Sequence, residues 1–163
     1  MNARNAALSL VVSSLILVAC DGGHRSVSPD DPMDSSLIVA GRIVPQSIVL
    51  SPLTGVSCPF LTPFTTRFDL LVDLAGSRAF FLDQVTLRLS DGSSVGGSPV
   101  LMSASDLAAR FASTRLVPGT TSRFGFAPRF DCGRFLPRSL LADVVLRDGT
   151  GARRTTHLVV PIG

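Results

Sequence analysis

Apolar and polar residues alternate along most of the chain, and this period of two constrains the fold more than any other feature of the sequence. It runs through 68–74, 85–89 and 140–146, where every second residue is Phe, Leu, Val or Ala. Successive side chains of a β-strand point to opposite faces, so the alternation predicts strands that bury one face and expose the other. The sequence therefore predicts a fold built mainly from half-buried strands.

Turn residues separate these strands and indicate others. Asp-Gly at 91–92 ends the run 85–89, and Asp-Gly-Thr-Gly at 148–151 joins 140–146 to a last strand at 156–160. This spacing predicts a hairpin near the end of the chain. Further strands are expected at 37–44, 46–50 and 123–130.

About seven strands and one short helix predict an all-β, antiparallel two-sheet β-sandwich over residues 37–163. The connecting helix is expected at 105–111, with Ser105 as its N-cap. In strand number and spacing the pattern resembles immunoglobulin-like and fibronectin-type modules. It departs from them in having no Trp, and in carrying Phe130 where a corner Tyr would precede Cys132. A small up-and-down or Greek-key barrel is the alternative.

Residues 1–19 have the composition of a signal peptide. Arg4 supplies a positive start, and the mainly apolar stretch 6–19 follows it. That stretch is shorter than the ~20 residues that span a bilayer, so the sequence does not predict a lasting transmembrane helix.

The stretch ends on Leu17-Val18-Ala19-Cys20, which resembles the lipobox of bacterial lipoproteins. The resemblance implies that Cys20 carries lipid and becomes the new N-terminus after cleavage. It also implies a location in the bacterial cell envelope, at the periplasmic face of the inner membrane or in the outer membrane, with Asp21 as a weak pointer to the inner membrane. The alternative is an ordinary signal peptide or a membrane anchor that merely ends at Cys20. Residues 20–36 then form a flexible spacer by composition.

Charge is low and unevenly distributed. All basic residues other than His are Arg and all acidic residues are Asp, and the net charge of +3 falls to +2 when Arg4 leaves with the signal peptide. So small a charge does not predict a nucleic-acid partner. Four of the Asp residues lie in 21–36, which leaves the segment 37–163 mildly basic.

Cys58 and Cys132 remain once Cys20 is assigned to lipid. In an oxidising compartment such a pair predicts a disulfide bond. Cys58 precedes Pro59 and Cys132 precedes Gly133, so the bond is expected at strand ends or loops. A metal or redox pair is the alternative, but there is no CxxC spacing and no His nearby. The sequence predicts no metal site and no cofactor.

One catalytic pattern occurs, because residues 92–96 match G-x-S-x-G, and Asp131 or Asp143 and then His157 follow in the order found in hydrolases. That motif requires a strand that turns directly into a helix. Here it runs into Gly97 and Pro99, which predicts a flexible loop instead. His157 is expected to face solvent on a strand. The sequence therefore predicts a protein that is not an enzyme.

Several arginines are predicted to share the exposed side of strands. Alternation places Arg123 and Arg129 opposite the buried Phe residues, and the final hairpin adds Arg147, Arg153 and Arg154 around its turn. These five form a candidate binding face for an anionic envelope partner, since guanidinium groups suit carboxylate and phosphate. The alternative is that outward-facing Asp residues neutralise them across the strands, the candidates being Asp69, Asp73 and Asp143.

The expected function is that of a membrane-anchored envelope lipoprotein with a non-catalytic binding or scaffolding β-sandwich. An accessory subunit of an envelope transport or assembly complex is the second hypothesis. A serine hydrolase acting through Ser94 and His157 is the third. The expected partners are the membrane, through Cys20, and an envelope protein or anionic surface.

Overall fold

The computed structural model describes residues 38–56, 58 and 63–163. Within them lie eleven strands and one helix. The strands are β1 (Ile38–Val44), β2 (Ser51–Pro52), β3 (Phe64–Thr65), β4 (Phe68–Ala75), β5 (Phe80–Ser90), β6 (Val95–Met102), β7 (Arg115–Leu116), β8 (Thr121–Phe126), β9 (Arg129–Phe130), β10 (Ser139–Asp148) and β11 (Arg153–Pro161). The helix α1 spans Ala104–Arg110. The predicted signal peptide, Cys20 and the spacer lie outside the described residues.

Two antiparallel sheets carry most of the strands. One has the order β1-β4-β8, and the other has the order β11-β10-β5-β6, with β7 paired to the start of β5. A third, small sheet joins β2, β3 and β9. Among the strands of six or more residues, one main sheet contains β1, β4 and β8, and the other contains β5, β6, β10 and β11. The long strands thus form a sandwich of two antiparallel sheets, one with three long strands and one with four.

The facing sides of the two main sheets form one hydrophobic core. Along β4 the buried side chains alternate with half-buried ones, and Leu70 and Val72 are only 1% exposed. Leu87 of β5 and Leu140 of β10 are fully buried from the other sheet. Each such side chain contributes about 1.5–3 kcal/mol when it leaves water. The all-β sandwich is confirmed, and the barrel alternative is wrong because the two sheets remain separate ladders.

Most predicted strands have their counterparts, namely β1, β4, β5, β10 and β11. The predicted strand at 123–130 is divided into β8 and β9 by residues 127–128. The strand predicted at 46–50 is wrong. There Ile48 forms only an isolated parallel bridge to Ile162, because Pro45 has no N–H to continue the ladder. Ile48 is nevertheless fully buried, so its apolar side chain seals one end of the core.

The predicted flexible loop after Gly92 is also wrong, since Val95–Met102 forms strand β6. β6 is an edge strand, and its pairing with β5 shifts register between Leu87 and Leu89. An edge position tolerates Pro99, whose missing N–H would break a central ladder. A Cβ at Gly96 would lie 1.9 Å from the ring of Phe135, so glycine lets this ring pack directly on the strand.

Helix α1 begins one residue earlier than predicted, and its N-cap is Ser103, not Ser105. The Ser103 hydroxyl accepts from the Asp106 N–H, while the Asp106 carboxylate accepts from the Ser103 N–H at 2.8 Å. The Ser103 hydroxyl also donates to Asp106 and is the main cause that lowers the pKa of this carboxyl. Only Ser103 stands three residues before an acid, which is the spacing that a capping box needs.

Candidate functional site

The turn between β10 and β11 is fixed by a buried carboxylate. Asp148 accepts from the backbone N–H groups of Thr150 and Ala152, each at 2.9 Å, and from the Thr150 hydroxyl at 2.7 Å. Its pKa is lowered, chiefly by the Thr150 hydroxyl, and the charge of Arg78 contributes to the shift. The predicted hairpin is confirmed, and its turn presents arginines on both arms.

Four exposed side chains lie in one row across this end of the five-stranded sheet. Arg115 of β7 pairs with Phe81 of β5, Phe81 pairs with Arg147 of β10, and Arg147 pairs with Arg153 of β11. Residues directly opposite each other share a face of the sheet, with Cβ atoms about 5 Å apart. Phe81 is 37% exposed. The row therefore places three arginines and one exposed phenylalanine on the same outer face of the sheet.

An irregularity in β5 produces this row. Val145 pairs with Gln84 but Leu146 pairs with Leu82, so Asp83 is an extra residue in β5. Such a bulge reverses the side-chain alternation beyond it. Phe80 and Leu82 therefore face the core, while Phe81 faces solvent.

The bulged residue also holds two arginines. The Asp83 side chain is only 7% exposed, and it accepts from Arg147 Nε at 2.9 Å. Arg153 Nη2 lies 3.0 Å from its other carboxylate oxygen. Asp83 thus fixes two long side chains before any partner arrives, which reduces the rotamer entropy that binding would cost.

We name this end of the sandwich the arginine pole and define it by Arg78, Arg115, Arg147, Arg153, Arg154 and Phe81. Among the described residues, the carboxylates in contact with these arginines or close to them are those of Asp83 and Asp148, so five arginines leave the local charge positive. Arg115 and Arg154 are exposed and form no ion pair with any other described residue. Planar guanidinium groups arranged this way suit carboxylate or phosphate groups.

The other two arginines of the predicted binding face lie elsewhere. Arg123 is in β8, on the other main sheet, and its Nη2 is 2.5 Å from Asp69 Oδ2. The hydrogen bond to Asp69 raises the pKa of Arg123. Arg129 is exposed in β9. The structure therefore does not bring the five arginines together: three lie at the hairpin, while Arg123 and Arg129 lie in two other sheets.

The expected cross-strand neutralisation involves other arginines as well. Asp73 pairs with Arg42 at 2.5 Å, and Asp143 pairs with Arg88. None of these pairs includes an arginine of the arginine pole. There, Asp83 pairs with Arg147 and Arg153, whereas the alternation predicts Asp69, Asp73 or Asp143 as the neutralising residues. Sequence reasoning missed Arg115, Phe81 and Asp83, because the bulge that brings them together leaves no periodic signal.

Ser94 and His157 are not brought together. Ser94 lies in the β5–β6 turn, where its hydroxyl is 3.2 Å from both carboxylate oxygens of Asp91. His157 lies on β11, with Nδ1 2.6 Å from Asp143 Oδ1. Three strand spacings separate β11 from β6, which is about 14 Å. A nucleophile and its base must be within ~3 Å, so the structure gives the hydrolase hypothesis no support.

Asp91 instead acts as the cap of its turn, and its ionisation is testable. The backbone N–H groups of Ser94 and Ser93, each 2.8 Å from Oδ1, lower the pKa of Asp91 from 3.8 to about 2. Because the folded-state pKa is below the unfolded value, the stabilisation is complete above the ordinary value of 3.8 and is lost as the pH falls toward about 2. A carbon-13 NMR titration should show Asp91 protonating near pH 2.

In Ser93→Ala, which removes one hydroxyl donor, the pKa of Asp91 should rise while remaining below its ordinary value. A wild-type pKa of 3.8 would contradict the role of Asp91 as the cap of this turn.

The predicted disulfide is confirmed. Cys58 lies between β2 and β3, and Cys132 follows β9, with their Cα atoms 5.7 Å apart. The bond joins two loops beside the small third sheet, as the flanking Pro59 and Gly133 predicted. It therefore fastens a peripheral part of the sandwich rather than crossing its core.

An open cleft of about 320 Å³ lies at the end of the sandwich opposite the arginine pole. The ends of β1 and β8 and the start of β4 line it together with Arg67 and Arg110. Arg110 Nε donates to the Gly125 carbonyl at 3.3 Å, and its Cζ lies 5.9 Å from the ring centroids of Phe111 and Phe126. These contacts hold Arg110 at the cleft wall.

The part of the chain that the structure describes contains no group of three or more His, Cys, Asp or Glu side chains that could hold a metal ion. Among the same residues, no helix has the length and apolar character that a membrane crossing requires.

Comparisons with known proteins give little. No family model and no curated protein matches the chain. The chain is similar to the X-ray structure of Northeast Structural Genomics Consortium target SoR45, with 10% identity, a TM-score of 0.48, and coverage of 78% of this chain and 87% of that one. It is also similar to a Bordetella pertussis protein assigned as an ApaA protein, with 10% identity, a TM-score of 0.46, and coverage of 77% and 94%. Likenesses this weak carry no argument about function.

Proposed function

We propose that this protein is a bacterial lipoprotein, anchored in the cell envelope through lipid on Cys20, whose β-sandwich binds an anionic envelope component without catalysis. The observation that carries the proposal is the in-register row of Arg115, Phe81, Arg147 and Arg153. The lipobox resemblance of residues 17–20 supports the anchor.

The chemistry of the row supports binding rather than reaction. Guanidinium groups remain protonated and offer planar donors, so they bind carboxylate or phosphate but do not transfer protons. Phe81 adds an apolar contact between two of them. Asp83 neutralises part of the charge of Arg147 and Arg153, whereas Arg115, Arg154 and Arg78 leave the surface positive.

The anchor would confine this surface to the envelope. Two or three acyl chains on Cys20 would hold the protein at a membrane permanently, because each buried methylene contributes ~0.8 kcal/mol. Confinement raises the effective concentration of any envelope partner, so a modest affinity suffices.

A photo-crosslinking amino acid at position 81 tests the binding surface in cells. We expect it to capture an anionic envelope component, and we expect less capture in Arg115→Ala with Arg154→Ala, since the first substitution removes the guanidinium group beside Phe81 and the second removes one from the other face of the same sheet end. The matched control is the same crosslinker at Leu136, which is 72% exposed and lies outside the arginine pole. Equal capture from both positions would contradict the proposed surface.

The anchor is checked in the same cells. A fatty-acid analogue should label the wild type and should not label Cys20→Ser, whose precursor should stay uncleaved. Equal labelling of the wild type and Cys20→Ser would contradict the lipid anchor on Cys20. The crosslinking result would still test the binding surface.

A further inference from the structure

The described domain begins at the arginine pole. Ile38, the first residue of β1, pairs with Ala75, the last residue of β4. The connection 76–79 carries Arg78 and leads into β5, whose first residue, Phe80, pairs with Asp148 at the β10–β11 turn. The segment that precedes Ile38 therefore joins the sandwich at the same end as the arginine row.

We infer that the arginine pole docks onto the anionic phospholipid headgroups of the membrane that holds the Cys20 lipid. The inference rests on the proposed function, because it takes the lipid on Cys20 as given, and it names the anionic component as the headgroup layer. Docking turns the opposite end of the sandwich, with the Arg67 and Arg110 cleft, away from the membrane.

The length of the tether agrees with this arrangement. Seventeen residues separate Cys20 from Ile38. A random-coil chain of that number of residues has a root-mean-square span of about 23 Å. The covalent connection therefore keeps the arginine pole within reach of the membrane, and contact with the headgroups brings its charges inside one Debye length, which is about 8 Å at physiological salt.

The composition of the arginine pole suits a headgroup layer. Each Arg close to an anionic membrane increases binding about five- to sixfold, so Arg115 and Arg154 together account for about thirtyfold. Phe81 stands exposed among the arginines, and Val117, which follows β7 at the same end, is 46% exposed. Exposed apolar side chains surrounded by cations are suited to the boundary between water and acyl chains.

Acidic residues just before Ile38 offer a competing occupant. Asp30, Asp31 and Asp34 stand four to eight residues before β1 and carry the opposite charge. They and the headgroups would compete for the same guanidinium groups, so the test distinguishes the two.

The test uses the purified, lipidated chain in vesicles of phosphatidylcholine alone or mixed with phosphatidylglycerol. A fluorescent amino acid replaces Val117, and headgroup-labelled quencher lipids report its contact with the membrane. We expect quenching only with phosphatidylglycerol, and we expect it to weaken as the salt concentration rises. In Arg115→Ala with Arg154→Ala the ratio of docked to undocked protein should fall about thirtyfold.

Three controls make the result specific. Arg134→Ala with Arg138→Ala removes the same charge from exposed positions between β9 and β10, and it should leave quenching unchanged. A probe at Leu136 should stay unquenched. Thermal unfolding should show that Arg115→Ala with Arg154→Ala keeps the fold, because neither guanidinium forms an ion pair with a described residue.

The outcomes separate this inference from the proposal beneath it. If the mass of the purified protein shows no acyl chains and the protein floats with neither kind of vesicle, the lipoprotein proposal has failed. A lipidated chain that floats with vesicles but remains unquenched overturns the docking inference alone. Quenching that appears only after Asp30, Asp31 and Asp34 are all changed to Asn means that the acidic segment is the occupant, and it also overturns the inference.

Discussion

Replacing Cys58 and Cys132 together by Ser should lower the free energy of unfolding by about 4 kcal/mol. The two residues are 74 positions apart in the sequence, so the bond closes a long loop in the unfolded chain and restricts its entropy. For a domain of this size the loss corresponds to a fall in the melting temperature of about 15 °C. Thermal unfolding followed by circular dichroism would measure it.

A reducing agent provides the matched comparison. It should destabilise the wild type by about as much as the double substitution does, and it should leave the double variant unchanged. If the reduced wild type melted at the oxidised temperature, the bond would make no contribution to stability and the entropic argument would be wrong.

Leu87→Ala should cost about 2–5 kcal/mol of unfolding free energy. Leu87 is fully buried in β5, a central strand that pairs with both β10 and β6, so the truncation leaves a cavity that the neighbouring sheet residues cannot fill. The native fold should survive, since the rest of the inward row of β5 remains. Denaturant unfolding would give the loss as a shift in midpoint with unchanged slope.

Leu101→Ala is the matched control, because it makes the same chemical change on the neighbouring strand. Leu101 is 57% exposed, and we expect a change within about 0.5 kcal/mol. Similar costs at the two positions would mean that the core is not where the structure places it.

Burial of one strand face made much of the fold predictable. Strands β4, β5 and β10 each pack one face on the core, so their apolar residues recur at period two. β6 lacks this alternation of apolar residues, because most of its residues are exposed and an edge strand tolerates Gly and Pro. A sequence pattern that depends on burial cannot reveal a strand that is scarcely buried.

The candidate site was predictable only in part. Arg147, Arg153 and Arg154 could be placed beside the hairpin because the turn residues at 148–151 fix both arms. Phe81 could not, since the bulge at Asp83 reverses the alternation of β5. Arg115 could not either, because β7 has only two residues and its pairing with β5 is a tertiary contact. Local patterns identify faces of strands, but they do not say which strands become neighbours.

The two edges of the five-stranded sheet determine whether copies of the domain can join through it. β6 offers an interrupted edge, since Pro99 has no N–H to donate and the ladder with β5 changes register nearby. At the other edge of the same sheet β11 lies close to β1, where a Cβ at Gly41 would be only 3.3 Å from Leu158. Strand addition from one copy to the next would therefore lack a continuous template. A domain built in this way can reach a high concentration without fusing into extended sheets through this five-stranded sheet.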